Sequence, residues 1–431
     1  MTENRVRVVY SFPNRLGGAR LSDASWHQVN ALAEAGVDVL AFPAGLRKPV
    51  ASQINVRPTM DWGRLRLPYR LLGKMRALGI HDQIVARRLH KLVGTVDVVH
   101  TYAVGSLETL KTARSLGIPT LLERSNAHTR FAFEQVNREA KRLGITLPPT
   151  DEYFYREDLL QREEAEYEAA KYILCPSDFV VKTFIEQGVP PEKLLRHFNG
   201  VDETVFYPAA TPRPSDGRFT MLFAGVCAVR KGVHFALEAW LNSPASRHGS
   251  FLIVGTALPA YMEKLSGMLA HPSVKVLGHV PDLPGLMRTC DALVLPSIEE
   301  GFGLVVTEAM ASGCVPLVSQ ACTEICEHMK SGLRHSIGDV GALTEHITRL
   351  YDEPALLAEL RAGGLKIVPE VTWSAVGVKV FEVYRRVVAK SRADAVPKAE
   401  AVNALVQGCR AVTALQTTTL PKTHPTDAVG V

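Results

Sequence analysis

The 431-residue chain has seven cysteines but no CxxC pair, and their number is odd. Neither a disulfide framework nor a zinc ribbon fits that pattern, and a reducing compartment does. Cys322 and Cys326 lie four apart with His328 nearby, yet no fourth ligand stands at a recognisable spacing. No apolar run reaches the ~20 residues a membrane span needs. Residues Met1–Tyr10 lack the long apolar region of a signal peptide. A cytoplasmic protein is expected, with peripheral contact at the inner membrane face left open. Excess charge is also scarce. A net charge of +5 over this length does not describe a general nucleic-acid binder.

What is present is an ordinary globular composition, 46% hydrophobic and 22% charged, in a chain too long for one common core. Short apolar runs alternate with longer amphipathic ones. Arg5–Tyr10, Val37–Phe42, Val96–His100, Pro119–Glu123 and Tyr172–Cys175 read as strands, with a helix around Ser22–Ala35. The pattern restarts with strands at Phe219–Ala224, Phe251–Val254, Ser273–Leu277, Ala292–Leu295, Val315–Ser319 and Leu333–Ile337. Buried apolar strands separated by helices imply parallel sheet covered on both faces. The fold class is α/β, two Rossmann-like doubly wound domains facing across a cleft. The boundaries predicted are 1–198 for a first domain, 199–218 for a linker and 219–371 for a second domain. Residues 372–391 form a final helix that can cross back to the first domain, and 392–431 form a mobile tail. The linker is marked by Asn199, Gly200, Pro208, Pro212, Pro214 and Gly217.

The chemistry concentrates in Pro296–Ser319. An apolar strand ends at Pro296, the acids Glu299 and Glu300 follow, then Gly301-Phe302-Gly303, and a helix starts near Leu304. The glycines permit a sharp turn and close backbone approach. A helix start offers unpaired N–H groups and partial positive charge to a phosphate. Glu300 on the loop and Glu308 one turn into the helix can each accept hydrogen bonds from two sugar hydroxyls.

This segment resembles the retaining GT-B glycosyltransferases of the group-1, family 4 type, whose hallmark is E-G-F-G-x4-E-A-M-A-x-G. The match runs through Glu300, Gly301, Phe302, Gly303, Glu308, Ala309, Met310, Ala311 and Gly313, then Pro316, Val318 and Ser319. Two residues, Cys314 and Val315, stand before that proline where many relatives have one. The resemblance implies that Glu308 holds the nucleotide ribose and Glu300 faces the donor sugar. It also implies that the N–H groups of Gly303 and Leu304 approach the diphosphate.

A second block, Phe223–Ala239, resembles the family's G-R…K-G segment at Gly225, Lys231 and Gly232, with Val226 where the arginine is usual. Arg230 is the candidate replacement. A diphosphate leaving group handled without a metal needs such cations. A third block, Asn199-Gly200-Val201-Asp202 with Phe206 and Pro208, is similar to the family's domain junction. Glu324 matches a glutamate of the next loop and is a candidate donor contact, or a helix-start charge. Gly17 and Gly18 match a glycine loop that approaches the donor phosphate from the first domain. His128 is the candidate for acceptor handling, with His100, Glu123 and Arg124 as further cleft residues near strand ends.

The expected activity is hexose transfer from a nucleotide diphosphate sugar, as co-substrate, to an acceptor hydroxyl with retention. The context is glycan, glycolipid or polysaccharide synthesis. The acceptor is a glycan, a lipid-linked molecule or a small molecule; no cofactor, metal or nucleic acid is expected. Residues 64–91 hold eight Lys or Arg against one acid, Asp82. Interleaved with leucines, they suit an anionic membrane surface or simply a solvated helix face. The alternatives are a non-catalytic nucleotide-sugar-binding subunit, or a phosphorylase or epimerase of the same fold.

Overall fold

A computed structural model describes residues 5–62, 65–66, 73–210 and 218–394. It divides into two compact units, Met1–Val383 and Tyr384–Val431. Of the second unit, residues 384–394 are helical, and the segment beyond Asp394, where a mobile tail is expected, lies outside the described residues.

The larger unit contains two parallel sheets. The first comprises β1 Arg7–Leu16, β2 Asp38–Leu46, β3 Asn55–Val56, β6 Val98–Tyr102, β7 Thr120–Glu123, β8 Tyr172–Cys175 and β9 Leu194–Arg196. Their order is β3-β2-β1-β6-β7-β8-β9. A separate antiparallel pair joins β4 Asp61–Trp62 to β5 Leu65–Arg66. The second sheet comprises β10 Thr220–Ala224, β11 Ser250–Val254, β12 Val274–Gly278, β13 Ala292–Leu295, β14 Val315–Ser319 and β15 Leu333–His335. Its order is β12-β11-β10-β13-β14-β15. Every neighbouring pair in both sheets is parallel. The strands β6, β7, β8, β13 and β14 are buried along their whole length, which is why they read as unbroken apolar runs.

In both sheets the order reverses beside the first strand, between β1 and β6 and between β10 and β13. Doubly wound sheets bind ligands at such reversal points, beyond the carboxyl ends of the strands. The loops leaving β1, β7, β10 and β13 therefore frame the region of interest.

The structure departs from the sequence reading in a few places. β1 continues to Leu16 rather than ending at Tyr10, because it keeps pairing with β2 across a register shift between Phe12 and Arg15. Pro13 sits in that shift, where a missing N–H does least harm. The short strands β3 and β9 carry no long apolar run, so periodicity gave no sign of them. Outgoing and returning chains meet at the junction. Val201 bridges Thr372 in parallel, and the Val201 N–H donates to the Val371 carbonyl at 2.9 Å. Trp373, opening the helical stretch that follows, stacks on His27 of the first domain with ring centroids 5.3 Å apart. Within 64–91, residues 64 and 67–72 lie outside the described residues. The helix Lys74–Leu89 buries Leu78, Val85 and Leu89 and exposes Lys74, Arg76, Arg87 and Arg88. No helix among the described residues is long and apolar enough to cross a membrane.

Candidate functional site

The loop after β13 is the centre of the site. Gly303 takes a left-handed conformation, φ 80°, and caps the helix Leu304–Ala311. That conformation turns the chain sharply from the sheet end into the helix, and glycine adopts it without strain. Among the described residues, no acceptor pairs with the N–H groups of Leu304 and Val305 in the first turn. They form a small concentration of positive potential.

The two cations predicted from the second block converge on this loop. A short helical turn, Val229–Lys231, follows β10 and ends at Gly232 in a left-handed conformation. A Cβ at Gly232 would lie 2.1 Å from the Pro296 carbonyl oxygen, so only glycine lets the turn pack against the end of β13. The Ile298 N–H donates to the Arg230 carbonyl at 2.8 Å and ties the two loops together. Lys231 Nζ is thereby in direct contact with Glu300 Oε2. Arg230 Nη1 lies 3.4 Å from Glu300 Oε1 and 3.4 Å from Glu299 Oε2. Arg230, next to Lys231 in sequence, thus reaches the same loop.

Burial alone would raise the Glu300 carboxyl, but Lys231 and then Arg230 outweigh it and hold the group down at about 2. Burial, then the neighbouring Arg230, draws Lys231 below its ordinary value. Arg230 moves the other way. Burial opposes its charge, yet Tyr153, Glu300 and Glu299 together hold it above the usual range. Glu300 is therefore not the open loop carboxylate that spacing suggested. It is buried and ion-paired.

Glu308 is different. It lies one turn into the helix, half-buried, and among the described residues its carboxylate has no hydrogen-bond or ion-pair partner. Burial, and then the charge of Asp23, push it up to about 7. Asp23 belongs to the first turn of the helix Leu21–Glu34, just past the Gly17-Gly18 loop. The first domain therefore reaches the helix that carries Glu308. Gly17 has φ 78°, and a Cβ there would meet Lys48 Cβ at 2.6 Å; Lys48 in turn pairs with Asp23 at 2.7 Å. A Cβ at Gly18 would meet Ser22 Cβ at 3.0 Å. Gly225 leaves β10 at a tight crossing, where the Gly225 carbonyl lies 1.7 Å from the Cβ position of Gly255.

Two sequence candidates take other roles. His128 is the N-cap of the helix Thr129–Arg142: its Nδ1 accepts the Arg130 N–H at 3.2 Å. Its ring packs on Tyr167 and Phe184, with centroids 5.0 and 4.9 Å away. Burial, then Arg124 and Arg130, lower it to about 3. So weak a base is poorly matched to proton transfer near neutrality. In this structure His128 caps its helix and packs against two rings. Glu324 is engaged by groups of the first domain. It contacts Arg196 Nη2 and accepts the Asp178 N–H at 3.1 Å, tying the loop after β14 to the first domain. His100 and Glu123 also turn inward. Glu123 lies between His100 Nε2 at 3.2 Å and His197 Nε2 at 2.8 Å, all three buried.

Sequence reasoning missed Glu299 and the segment that meets it. Its Oε1 accepts the Ala127 N–H at 2.9 Å and its Oε2 the Tyr153 hydroxyl at 2.7 Å. Ala132, Val136, Ala140, Ile145, Leu147 and Tyr153 share one core cluster with Val229, Val233 and Phe235 of the second domain. An alternating or heptad signal does not mark such a segment. The one available sign was the paired acid Glu299-Glu300.

Residues 218–353 match the family described as Glycosyl transferases group 1. The chain is 29% identical over 195 residues, 43% of its length, to the glycogen synthase of Mycobacterium tuberculosis. The matching stretch spans about half, 47%, of that curated relative's length. The sucrose-phosphate synthase structure from Thermosynechococcus elongatus superimposes with TM-score 0.65 at 19% identity, covering 90% of this chain and 100% of that one. The Anabaena HepE structure in complex with UDP-glucose gives TM-score 0.61 at 17% identity, covering 88% and 99%. The fold is GT-B: two Rossmann-like α/β domains, each built on a parallel sheet.

Proposed function

We propose that the protein is a retaining glycosyltransferase of the family 4 type, moving a hexose from a nucleoside diphosphate sugar to an acceptor hydroxyl. One arrangement carries the reading. An unpartnered Glu308 stands one turn into a helix whose first N–H groups have no acceptor, and the loop leading into that helix carries Glu300, which contacts the buried Lys231 and the partly buried Arg230. A nucleoside diphosphate sugar offers ribose hydroxyls to Glu308 and phosphate oxygens to the helix start and the cations. The group 1 match over 218–353 and the likeness to HepE with UDP-glucose support the same assignment.

In this reading the bond from the anomeric carbon to the phosphate oxygen breaks as the acceptor oxygen bonds that carbon from the same face. The departing phosphate oxygen takes the acceptor proton. Lys231 and Arg230 stabilise the charge that develops on the diphosphate, the step where preorganised cations contribute most. Glu300, with Lys231 and Arg230 on its oxygens, orients those cations and the sugar and is not a nucleophile. Gly17 and Gly18 close the phosphate side from the first domain. The chemistry proposed here runs without a metal ion.

The test is a thermal-shift screen with UDP-, GDP- and ADP-sugars, followed by transfer and donor hydrolysis with the stabilising donor. A bound donor raises apparent stability by mass action. Wild type should transfer, while Glu308→Ala and Lys231→Ala should lose most of the rate. Equal behaviour of all three proteins would remove the site assignment.

A further inference from the structure

Arg230 does not reach the site unaided. Its guanidinium lies over the Tyr153 ring, 5.2 Å from the centroid, and its Nη1 donates to the Glu299 carbonyl at 3.1 Å. Glu299 is fully buried and sends both carboxylate oxygens to other groups. One accepts the Ala127 N–H; the other accepts the Tyr153 hydroxyl and lies 3.4 Å from Arg230. Asn126 Nδ2 donates to the same Tyr153 oxygen at 3.0 Å. Two of the groups bound by Glu299 thus come from the first domain, and the third is the cation of the second.

With both oxygens engaged by protein groups and no exposed surface, Glu299 does not present itself to a donor sugar. Its chemistry is that of a support. Losing one of its partners would leave charge buried without compensation, which is costly. We infer that Glu299 is a positioning residue that docks the Ser125–Ala127 loop and Tyr153 onto Arg230, so that the phosphate-facing cation is oriented only when both domains are engaged. The role assigned to Arg230 rests on the glycosyltransferase reading; the docking by Glu299 does not.

The experiment has two readouts on the full-length chain. Amide hydrogen exchange over residues 125–128 is compared in wild type, Glu299→Gln and Tyr153→Phe. Steady-state transfer is measured for Arg230→Ala, Glu299→Gln and the double variant. Exchange at Ala127 should quicken in Glu299→Gln. Its kcat should fall on the order of tenfold to a hundredfold, with donor KM changed less, as for a group that orients another. Tyr153→Phe should move both quantities in the same direction by less. In the Arg230→Ala background, Glu299→Gln should cost little more, because the group it orients is gone. Multiplying losses in the double variant would overturn the positioning role, since Glu299 would then act independently of Arg230. Unchanged exchange at Ala127 would overturn the docking. Should wild type transfer from no donor, the proposed function falls, and the exchange readout still decides the docking.

Discussion

Gly301 lies against the Ser125 carbonyl so closely that a Cβ would sit 1.6 Å from the oxygen. The first glycine of the E-G-F-G segment is therefore needed for a backbone of the other domain to approach. Its neighbour Gly303 is needed for a positive φ. Neither backbone can yield cheaply, because Ala127 is bound to Glu299 and Phe302 is buried. Gly301→Ala should destabilise the protein by about 1–3 kcal/mol through overpacking. It should also lower kcat on the order of a hundredfold by displacing Glu300. Thermal unfolding and steady-state transfer measure the two effects. A variant with wild-type rate and stability would show that the domains do not approach this closely.

Lys231 and Glu300 form the most consequential buried pair. Replacing Lys231 with Met removes the larger of the two cationic influences on Glu300, so the carboxyl rises from about 2 toward the effect of burial. Transfer should fall on the order of 10²–10³-fold, the scale for losing one preorganised group at developing charge. Lys231→Arg should not restore it, because a planar fork does not replace a compact ammonium in a buried contact. Rates for both variants, with nucleoside diphosphate affinity by calorimetry, check this.

Glu308 gives a pH dependence of definite sign. Its carboxyl is raised to about 7, so it ionises as pH climbs through neutrality. In the proposed role the ionised form accepts two ribose hydroxyls, so donor affinity should strengthen between roughly pH 6 and pH 8. The effect on stability is opposite. A carboxyl raised above its unfolded value of 4.5 binds more protons folded than unfolded, so stability falls as pH rises from 4.5 to 7. Because the group is only half-buried, this loss is about 1–2 kcal/mol rather than the full linkage value. Glu308→Gln should be the more stable protein at pH 8 and should show a flat donor affinity across this range. Chemical denaturation and donor titration at pH 6, 7 and 8 measure both.

The legible parts of this protein are those where chain chemistry acts locally. Unbroken apolar runs such as Ala292–Leu295 and Val315–Ser319 became central strands with the boundaries read from sequence. Gly303 and the helix start at Leu304 were legible because a turn and a helix N-terminus are set by neighbours in sequence. Lys231 and Arg230 were legible as cations near a glycine, but their contact with Glu300 spans about 70 residues and is made by the fold alone. His128 and Glu324 were legible only as polar residues near strand ends, and their contacts were not. Each is a polar residue near a strand end, and only its packing partner decides whether it faces the cleft. For His128 that partner is its own helix start; for Glu324 it is Arg196. Tyr153 carried no signal, since nothing local requires its hydroxyl to meet Glu299.

The capping role of His128 separates it from catalysis in a simple comparison. Asparagine is a good N-cap and cannot act as a general base, whereas alanine can do neither. His128→Ala should lose about 1 kcal/mol from the cap, and more from the lost contacts with Tyr167 and Phe184. His128→Asn should recover the cap part and transfer at close to the wild-type rate. A catalytic base would behave otherwise: both variants would lose the rate together, and the rate of each would lose its pH dependence on the acid limb. Parallel thermal denaturation and pH–rate profiles of the two variants decide it. Equal and large losses of rate with unequal stabilities would return His128 to the acceptor side of the site.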